Sequence, residues 1–309
     1  MDYKIYKLVF QNGVHFGKSS IESTSYTFQA DTFFSSLCVE TVKMGEGLLK
    51  QLVEYVKEDK LIFSDAFPYI NDEYYLPKPM IYIENKLNGE TSENEKKIFK
   101  KMEFVPLSGF ESYLRGEFST EEAKKIDNLG HGITKVSASI RGENESVPYR
   151  VGVYYYNKNA GLYIIVGYED NGVREFFEGL MEGLSFSGIG GRRNSGLGGF
   201  EFYIADIPER LRLRIENASD KFMTLSVSLP NENELEKAVE NARYLLVKRS
   251  GFVASADYAD EQLRKRDIYV FKSGSCFIHK FNGNIYDVSS GGRHSVYRYA
   301  KPLFMGVSV

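Results

Sequence analysis

The chain of 309 residues has no tryptophan, two cysteines, four histidines, eight prolines and no long hydrophobic run. Each scarcity removes a class. Two cysteines cannot build a disulfide framework. Cys38 sits in the helical apolar pattern "DTFFSSLCVETV" and Cys276 in the strand-like "SCFIHKF", so both read as reduced, buried small hydrophobes. His15, His131, His279 and His294 show no metal-ligand spacing, and the distant cysteines add none. No segment approaches the roughly 18 consecutive apolar residues of a membrane span. The N-terminal "MDYKIYKLVFQNG" alternates like a strand and has no signal-peptide apolar region, so a cytoplasmic protein without membrane contact is expected. A net charge of −3 does not announce a nucleic-acid binder, nor does it exclude one, because binding follows local clustering of charge.

Several catalytic and nucleotide signatures are also missing. Between Gly183 and Gly199 stand seven glycines, in "GLSFSGIGGRRNSGLGGFEF". Gly191 and Gly196 have the spacing of a P-loop, but Leu197-Gly198 stands where Lys-Ser/Thr is needed. A Rossmann fingerprint fails because Arg193 holds the third glycine position and the loop runs from a helix into a strand. The remaining kinase signatures are absent, as are the paired aspartates of a polymerase palm. What is left is bare backbone that can approach an anion, with Arg192 and Arg193 beside it offering forked donors. A tight turn needs one or two glycines, so this loop reads as a polyanion site.

What is abundant is aromatic: 22 Tyr and 22 Phe, usable for packing or for stacking on bases. The composition is that of a folded protein, and the length suggests two domains. "YKIYKLVF" reads as a strand whose Ile5, Leu8 and Phe10 differ in parity, so both faces are partly covered. "DTFFSSLCVETVKMG" reads as a helix with Asp31 as N-cap and Phe34, Leu37, Cys38 and Val42 as its stripe, ended by Gly45 and Gly47. "LIFSDAFPYINDEYYLPKPMIYI" is β-like. From Glu84 to about Val147 the character changes: capping boxes at Ser92/Glu95 and Ser119/Glu122 open short, charged, solvated helices. "VSASIRGENESVPYRVGVYYYN" then reads as a long hairpin turning near Gly142–Ser146. "GLYIIVGYE" is a strand. "VREFFEGLMEGL" is a helix with Val173, Phe176, Phe177, Leu180, Met181 and Leu184 on one face. "GGFEFYIADI" is again a strand. After Pro208 a second unit follows: the strand "KFMTLSVSL", a helix with Leu235, Ala238, Val239 and Ala242 on one face, and the strands "RYLLVKRSGFVAS" and "DIYVFKSGSCFIHKF". The expected fold is α+β, with two ferredoxin-like (RRM-like) βαββαβ domains at 1–208 and 209–309 and an insertion at about 84–150 in the first.

A glycine-rich loop between the last helix and last strand of a ferredoxin-like domain resembles the RAMP superfamily of CRISPR proteins. "VHFGKSSIES" with "YTFQADTFFSSLC", then "LIFSDAFPYINDEYYLPKPM", "LVKRSGFVAS" and "HSVYRYAKPLFMGVSV" are similar, in order, to the Csm-four family, the RAMP subunit of type III-A effector complexes. The resemblance spans nearly the whole chain apart from about 84–130. It implies a subunit with no known catalytic activity of its own, and the residues themselves suggest no cofactor or metal. Such a subunit holds the 5′ handle of the CRISPR RNA and docks the large polymerase-like subunit and the adjacent backbone RAMP subunit. A hairpin thumb meets the guide–target duplex. Carried onto this sequence, the implied RNA-binding residues are Gly188, Gly190, Gly191, Arg192, Arg193, Gly196 and Gly198 in the glycine loop. His15, Phe16 and Gly17, with Lys18, form the "HFG" turn. Lys248, Arg249, Ser250 and Gly251 form the second-domain loop, and Ile140 and Arg141 fall on the thumb, where the wording departs from the family's.

Other residues have plainer readings. His15 is expected to order a loop or touch RNA rather than act as an acid or base. A processing endoribonuclease using His15 or His294 for metal-independent 2′-OH attack is the rival function. Asp65, Asp72 and Glu73 read as solvated loop acids, and the Lys96–Lys97 and Lys100–Lys101 pairs as the solvated side of a helix. Phe67, Tyr69, Tyr74 and Tyr75 are a candidate docking surface, weighed against the plainer expectation that they pack on the protein's own sheet.

Overall fold

The computed structural model describes residues 1–309 except 19, 84–92, 142–144, 256 and 309. The first strand, β1 (Asp2–Val9), leads through the short pair β2 (Phe16–Gly17) and β3 (Thr24–Ser25) to α1 (Ala30–Met44) and α2 (Leu48–Lys57). Then come β4 (Leu61–Phe63), β5 (Phe67–Ile70) and β6 (Glu73–Pro77). The insertion holds α3 (Glu93–Lys101), β7 (Phe104–Pro106), α4 (Phe110–Arg115) and α5 (Thr120–Lys124), followed by the hairpin β8 (Gly130–Arg141) and β9 (Glu145–Tyr156). β10 (Ala160–Tyr168), α6 (Asn171–Ser187) and β11 (Glu201–Asp206) complete an antiparallel sheet of order β11-β1-β10-β5-β6-β7, with β4 also paired to β10.

Strand alternation assigns that sheet two buried faces. Tyr6, Leu8, Ile164 and Val166 lie with Phe33, Phe34, Leu37 and Phe177 of α1 and α6. Ile5, Tyr163 and Ile165 share a second core with Phe110 and Tyr113 of the insertion and with Met223, Leu225 and Met305 of the C-terminal third. The mixed parity of β1 therefore does mark a strand covered on both sides. That second core also corrects the docking candidate. Phe67, Tyr69 and Tyr75 are buried, and Tyr74 meets Tyr163 edge-on with ring centroids 4.8 Å apart, so these rings pack on the protein's own sheet.

The C-terminal third contains α7 (Glu209–Glu216), β12 (Phe222–Thr224), α8 (Glu232–Val239), β13 (Leu246–Arg249) and β14 (Ile268–Phe271). After these run β15 (Cys276–Phe277), β16 (Asn284–Asp287), β17 (Tyr297–Ala300) and β18 (Phe304–Gly306). They pair as β15-β12-β18, β13-β14 and β16-β17, all antiparallel. The expected face of α8 is only partly right, because Ala238 is buried but Leu235 is exposed. Both cysteines are free, and burial pushes their thiols up to about 12.

α1 departs from its expected start. Its N-cap position is Gln29, without a side-chain cap. The Ala30 N–H instead donates to Asp65 Oδ1 at 2.8 Å, and the same oxygen accepts from the Val227 N–H at 3.0 Å. Asp65 is thus buried, not a solvated loop acid, and ties the helix start to the C-terminal third. Asp31 is released from capping and pairs with two arginines. The helix stripe is also rotated: Phe33 is buried and Val42 is 66% exposed, because α1 is covered by both α6 and β17. The capping box at Ser119/Glu122 forms, whereas the one at Ser92 lies outside the described residues. Lys96, Lys97, Lys100 and Lys101 are exposed.

Candidate nucleic-acid interface

α6 begins with Asp170 accepting from the Val173 N–H at 3.0 Å and buries Val173, Phe177, Leu180, Met181 and Leu184. It stops at Gly188, φ +75°, where the glycine loop starts. The loop base is packed, not open. Ile189 is fully buried, its N–H donates to Gly198 O at 2.9 Å, and the Gly198 N–H donates to Gly13 O at 3.1 Å. A Cβ on Gly198 would stand 2.1 Å from Ile189 O, and one on Gly190 would stand 2.7 Å from His15 O. Both residues also have φ near +80 to +100°, so these glycines are required by close backbone approach within the protein. Only the tip, Asn194–Gly196, is exposed. Among the described residues, the amides of Gly190, Arg192, Arg193 and Asn194 find no acceptor. The backbone left for an anion is that short run.

The two arginines diverge. Arg192, at φ +59°, donates from Nη1 to the Tyr149 hydroxyl at 3.2 Å and lies 4.8 Å from that ring's centroid, so it ties the loop to β9. Arg193 lines a groove. His15 is buried. Its ring Nδ1 donates to Gly152 O at 2.7 Å, and its carbonyl accepts from the Gly191 N–H at 2.9 Å. It therefore orders three segments at once. Phe16 packs edge-on against Phe28 at 5.0 Å, while Gly17 and Lys18 stand exposed at the groove rim.

The groove, with a volume of about 590 Å³, lies between α1, the glycine loop and the C-terminal third. Nine expected residues meet there: Phe16, Gly17, Lys18, Gly190, Gly191, Arg193, Arg249, Ser250 and Gly251. Gly188, Gly196, Gly198, His15, Arg192 and Lys248 do not line it. Lys248 is exposed and pairs with Asp267 at 2.7 Å. Ile140 and Arg141 stand on β8 opposite Ser146 and Glu145, next to a hairpin turn outside the described residues.

Arg249 is already engaged. Its Nε and Nη2 donate to Asp31 at 2.9 and 2.7 Å, and Arg298 Nη1 reaches the same carboxylate at 2.5 Å. Burial opposes the Asp31 charge, but Arg249 and then Arg298 override it and hold this carboxyl below the ordinary range. Asp65 lacks such partners. Burial pushes its carboxyl up to about 6, against the pull of the Ala30 and Val227 amides.

Three further cations of the groove, Lys265, Lys272 and Arg298, escaped the sequence reading. Lys265 stands in the basic run Arg264-Lys265-Arg266, which is a visible signal. Arg298 lies alone in "VYRYA" and is recognisable only through its buried partner. Groove cations then number six, against Asp31, Asp65 and Glu103. Among the described residues no group of histidines, cysteines and carboxylates could hold a metal. His294 bonds Ser255 and, like His15, lies outside the groove lining.

Residues 217–307 match the family described as the CRISPR Csm4 C-terminal domain. Over 309 residues the chain is 38% identical to a protein of Mycobacterium tuberculosis named CRISPR system Cms protein Csm4, covering 99% of this chain and 98% of that one. A protein of the same name from Streptococcus thermophilus is also 38% identical, over 317 residues and the whole of both chains. The chain belongs to the Csm4 family. The fold is similar to a chain of the Csm3–Csm4 subcomplex in the type III-A CRISPR-Cas interference complex, at TM-score 0.65, 18% identity and 98% of each chain. A chain of the Csm1–Csm4 cassette in complex with cA4 gives TM-score 0.61 at 20% identity, over 99% of this chain and 98% of that one. No helix among the described residues is long and apolar enough to cross a membrane.

Proposed function

We propose that this chain is the Csm4 subunit of a type III-A CRISPR effector complex, that it holds the 5′ handle of the CRISPR RNA in the groove, and that it does no chemistry of its own. One observation carries the reading: segments around residues 16–18, 190–193 and 249–251, far apart in sequence, converge on a single basic groove. Cations and free amides fit phosphates, and phosphate contacts set register without reading sequence. The hairpin of β8 and β9 serves as the thumb against the guide–target duplex. β8 is exposed over nearly all its described residues, while Val151 and Val153 root β9 in the core.

The order β11-β1-β10-β4, with α1 and α6 sharing one core against it, supports a ferredoxin-like first domain over 1–208. The second, 209–309, is read as a reduced copy with short strands. The partners follow from relatives solved as Csm3–Csm4 and Csm1–Csm4 assemblies: the adjacent backbone RAMP subunit and the large polymerase-like subunit, in the cytoplasm. Co-expression of the tagged chain with both partners and a repeat–spacer RNA tests this. Tag purification is expected to recover both subunits and RNA with repeat-derived 5′ ends. Elution of the folded chain alone would contradict it.

A further inference from the structure

The strongest unexplained feature is surplus positive charge at the seam between α1 and the C-terminal third. Arg249, Arg298 and Lys265 gather there around Asp31, with Asp65 close to Arg249. Arg249 spends Nε and Nη2 on Asp31, and Nη2 also reaches Thr32. Its Nη1 has no acceptor among the described residues and is not sealed from solvent, unlike Arg298 Nε, which is buried without a partner. Among the described residues Lys265 Nζ donates only to a neutral group, the Ser35 hydroxyl at 3.2 Å. Burial and then the charge of Arg298 lower its pKa, and the opposing pull of Asp31, a carboxylate already shared by two arginines, does not offset them. Cations withdrawn from water without matching carboxylates are costly, and an anion relieves that cost.

We infer that Arg249 Nη1, Lys265 Nζ and Ser35 Oγ form a phosphate subsite that seats one phosphodiester of the RNA strand across the seam. All three residues line the groove, and Ser35 comes from α1 while the two cations come from the C-terminal third. An occupying phosphate therefore adds a bridge between the halves beside the Asp31 pairs. The fork of an arginine suits phosphate oxygens, and Lys272 and Arg193 on the same groove supply cations for neighbouring phosphates. This rests on the RNA reading above, and its test separates the two.

Two measurements on the full chain decide it. Inorganic phosphate, exchanged for sodium chloride at constant ionic strength, is expected to raise the melting temperature by about 2 °C. Lys265→Met should abolish that shift, while Lys265→Arg and the remote control Lys50→Met on α2 keep it. Lys265→Met should also weaken single-stranded RNA binding about tenfold and reduce the slope of log K against log salt by about 0.7. No phosphate shift in the wild type, or the same shift in Lys265→Met, overturns the subsite. A shift that Lys265→Met loses, with unchanged RNA affinity and slope, overturns the phosphodiester assignment and points to a free phosphate or nucleotide, for which ATP is the next probe. If the wild type binds no RNA, the RNA reading fails, and the phosphate shift still judges the pocket.

Discussion

Asp65 carries its charge at a cost, and that cost is measurable against pH. Its folded pKa, about 6, lies above its ordinary value of 3.8, so the native state binds more protons than the unfolded chain between those values. Its contribution to stability therefore grows as pH falls from about 7 to about 4, by about 3 kcal/mol. Asp31 has the opposite sign. Its folded pKa is below 3.8, so its contribution is present above that value and is lost in stronger acid. Asp65→Asn keeps an oxygen for the Ala30 and Val227 amides and removes the charge. The variant should melt higher than wild type at pH 7.5 and lose the rise between pH 7 and 4; an unchanged pH profile would show that Asp65 titrates normally. The adjacent arginines separate in the same residue-level way. Arg193→Ala should cut the RNA salt slope by about 0.7, whereas Arg192→Ala should leave the slope intact and loosen the hairpin, seen as faster hydrogen exchange around Tyr149. Equal effects on the slope would contradict the split. In sequence Arg192 and Arg193 were indistinguishable, because only the left-handed backbone at Arg192 turns it toward Tyr149. Asp31 looked like a cap because it stands just before the apolar stripe, but the helix starts one residue earlier, at Ala30, and the oxygen that accepts from the Ala30 N–H comes from Asp65 in the following β segment.

Elements with long, regular periodicity were legible, and short or unusually bounded ones were not. α6 shows its stripe over about three turns, and β10 is a continuous apolar run. α2 went unassigned because its N-cap is Gly47 in a left-handed conformation, which reads as a helix end instead of a start. α4 lacks a side-chain cap and is six residues long. In the C-terminal third β12, β13, β14 and β15 fall inside segments read as strands, whereas β16, β17 and β18, three to four residues each, are too short for alternation to register. The glycine loop could be read from sequence as a candidate anion site but not as a packed element, since its sequence cannot reveal that His15 closes it. His15→Ala removes the Gly152 bond and the ring beside Gly191. It should destabilise the protein by about 1–3 kcal/mol and weaken RNA binding through a loosened loop. Incubation of wild type or variant with repeat RNA in EDTA should give no scission. EDTA-resistant cleavage lost in the variant would revive the endoribonuclease reading.

At the scale of the whole molecule, the N-terminal sheet and the C-terminal third share cores and are clamped by Asp31 with Arg249 and Arg298. Asp31→Ala leaves two guanidiniums without their carboxylate, a loss of about 3–5 kcal/mol. It should also separate melting into two transitions; a single transition at the wild-type temperature would show that the clamp is dispensable. Sequence revealed the family and the order of its motifs but not this seam, because the partners are more than 200 residues apart. The proposed function puts RNA in the groove that this seam creates. Photo-crosslinking tests it most directly, using the reconstituted effector with 4-thiouridine in the CRISPR RNA 5′ handle and peptide mapping of the adducts on this chain. Adducts are expected on the peptides that carry Phe16–Lys18, Gly190–Arg193 and Arg249–Phe252. Adducts confined to the outer faces of α2, α6 and α8, with none on those three segments, would contradict it.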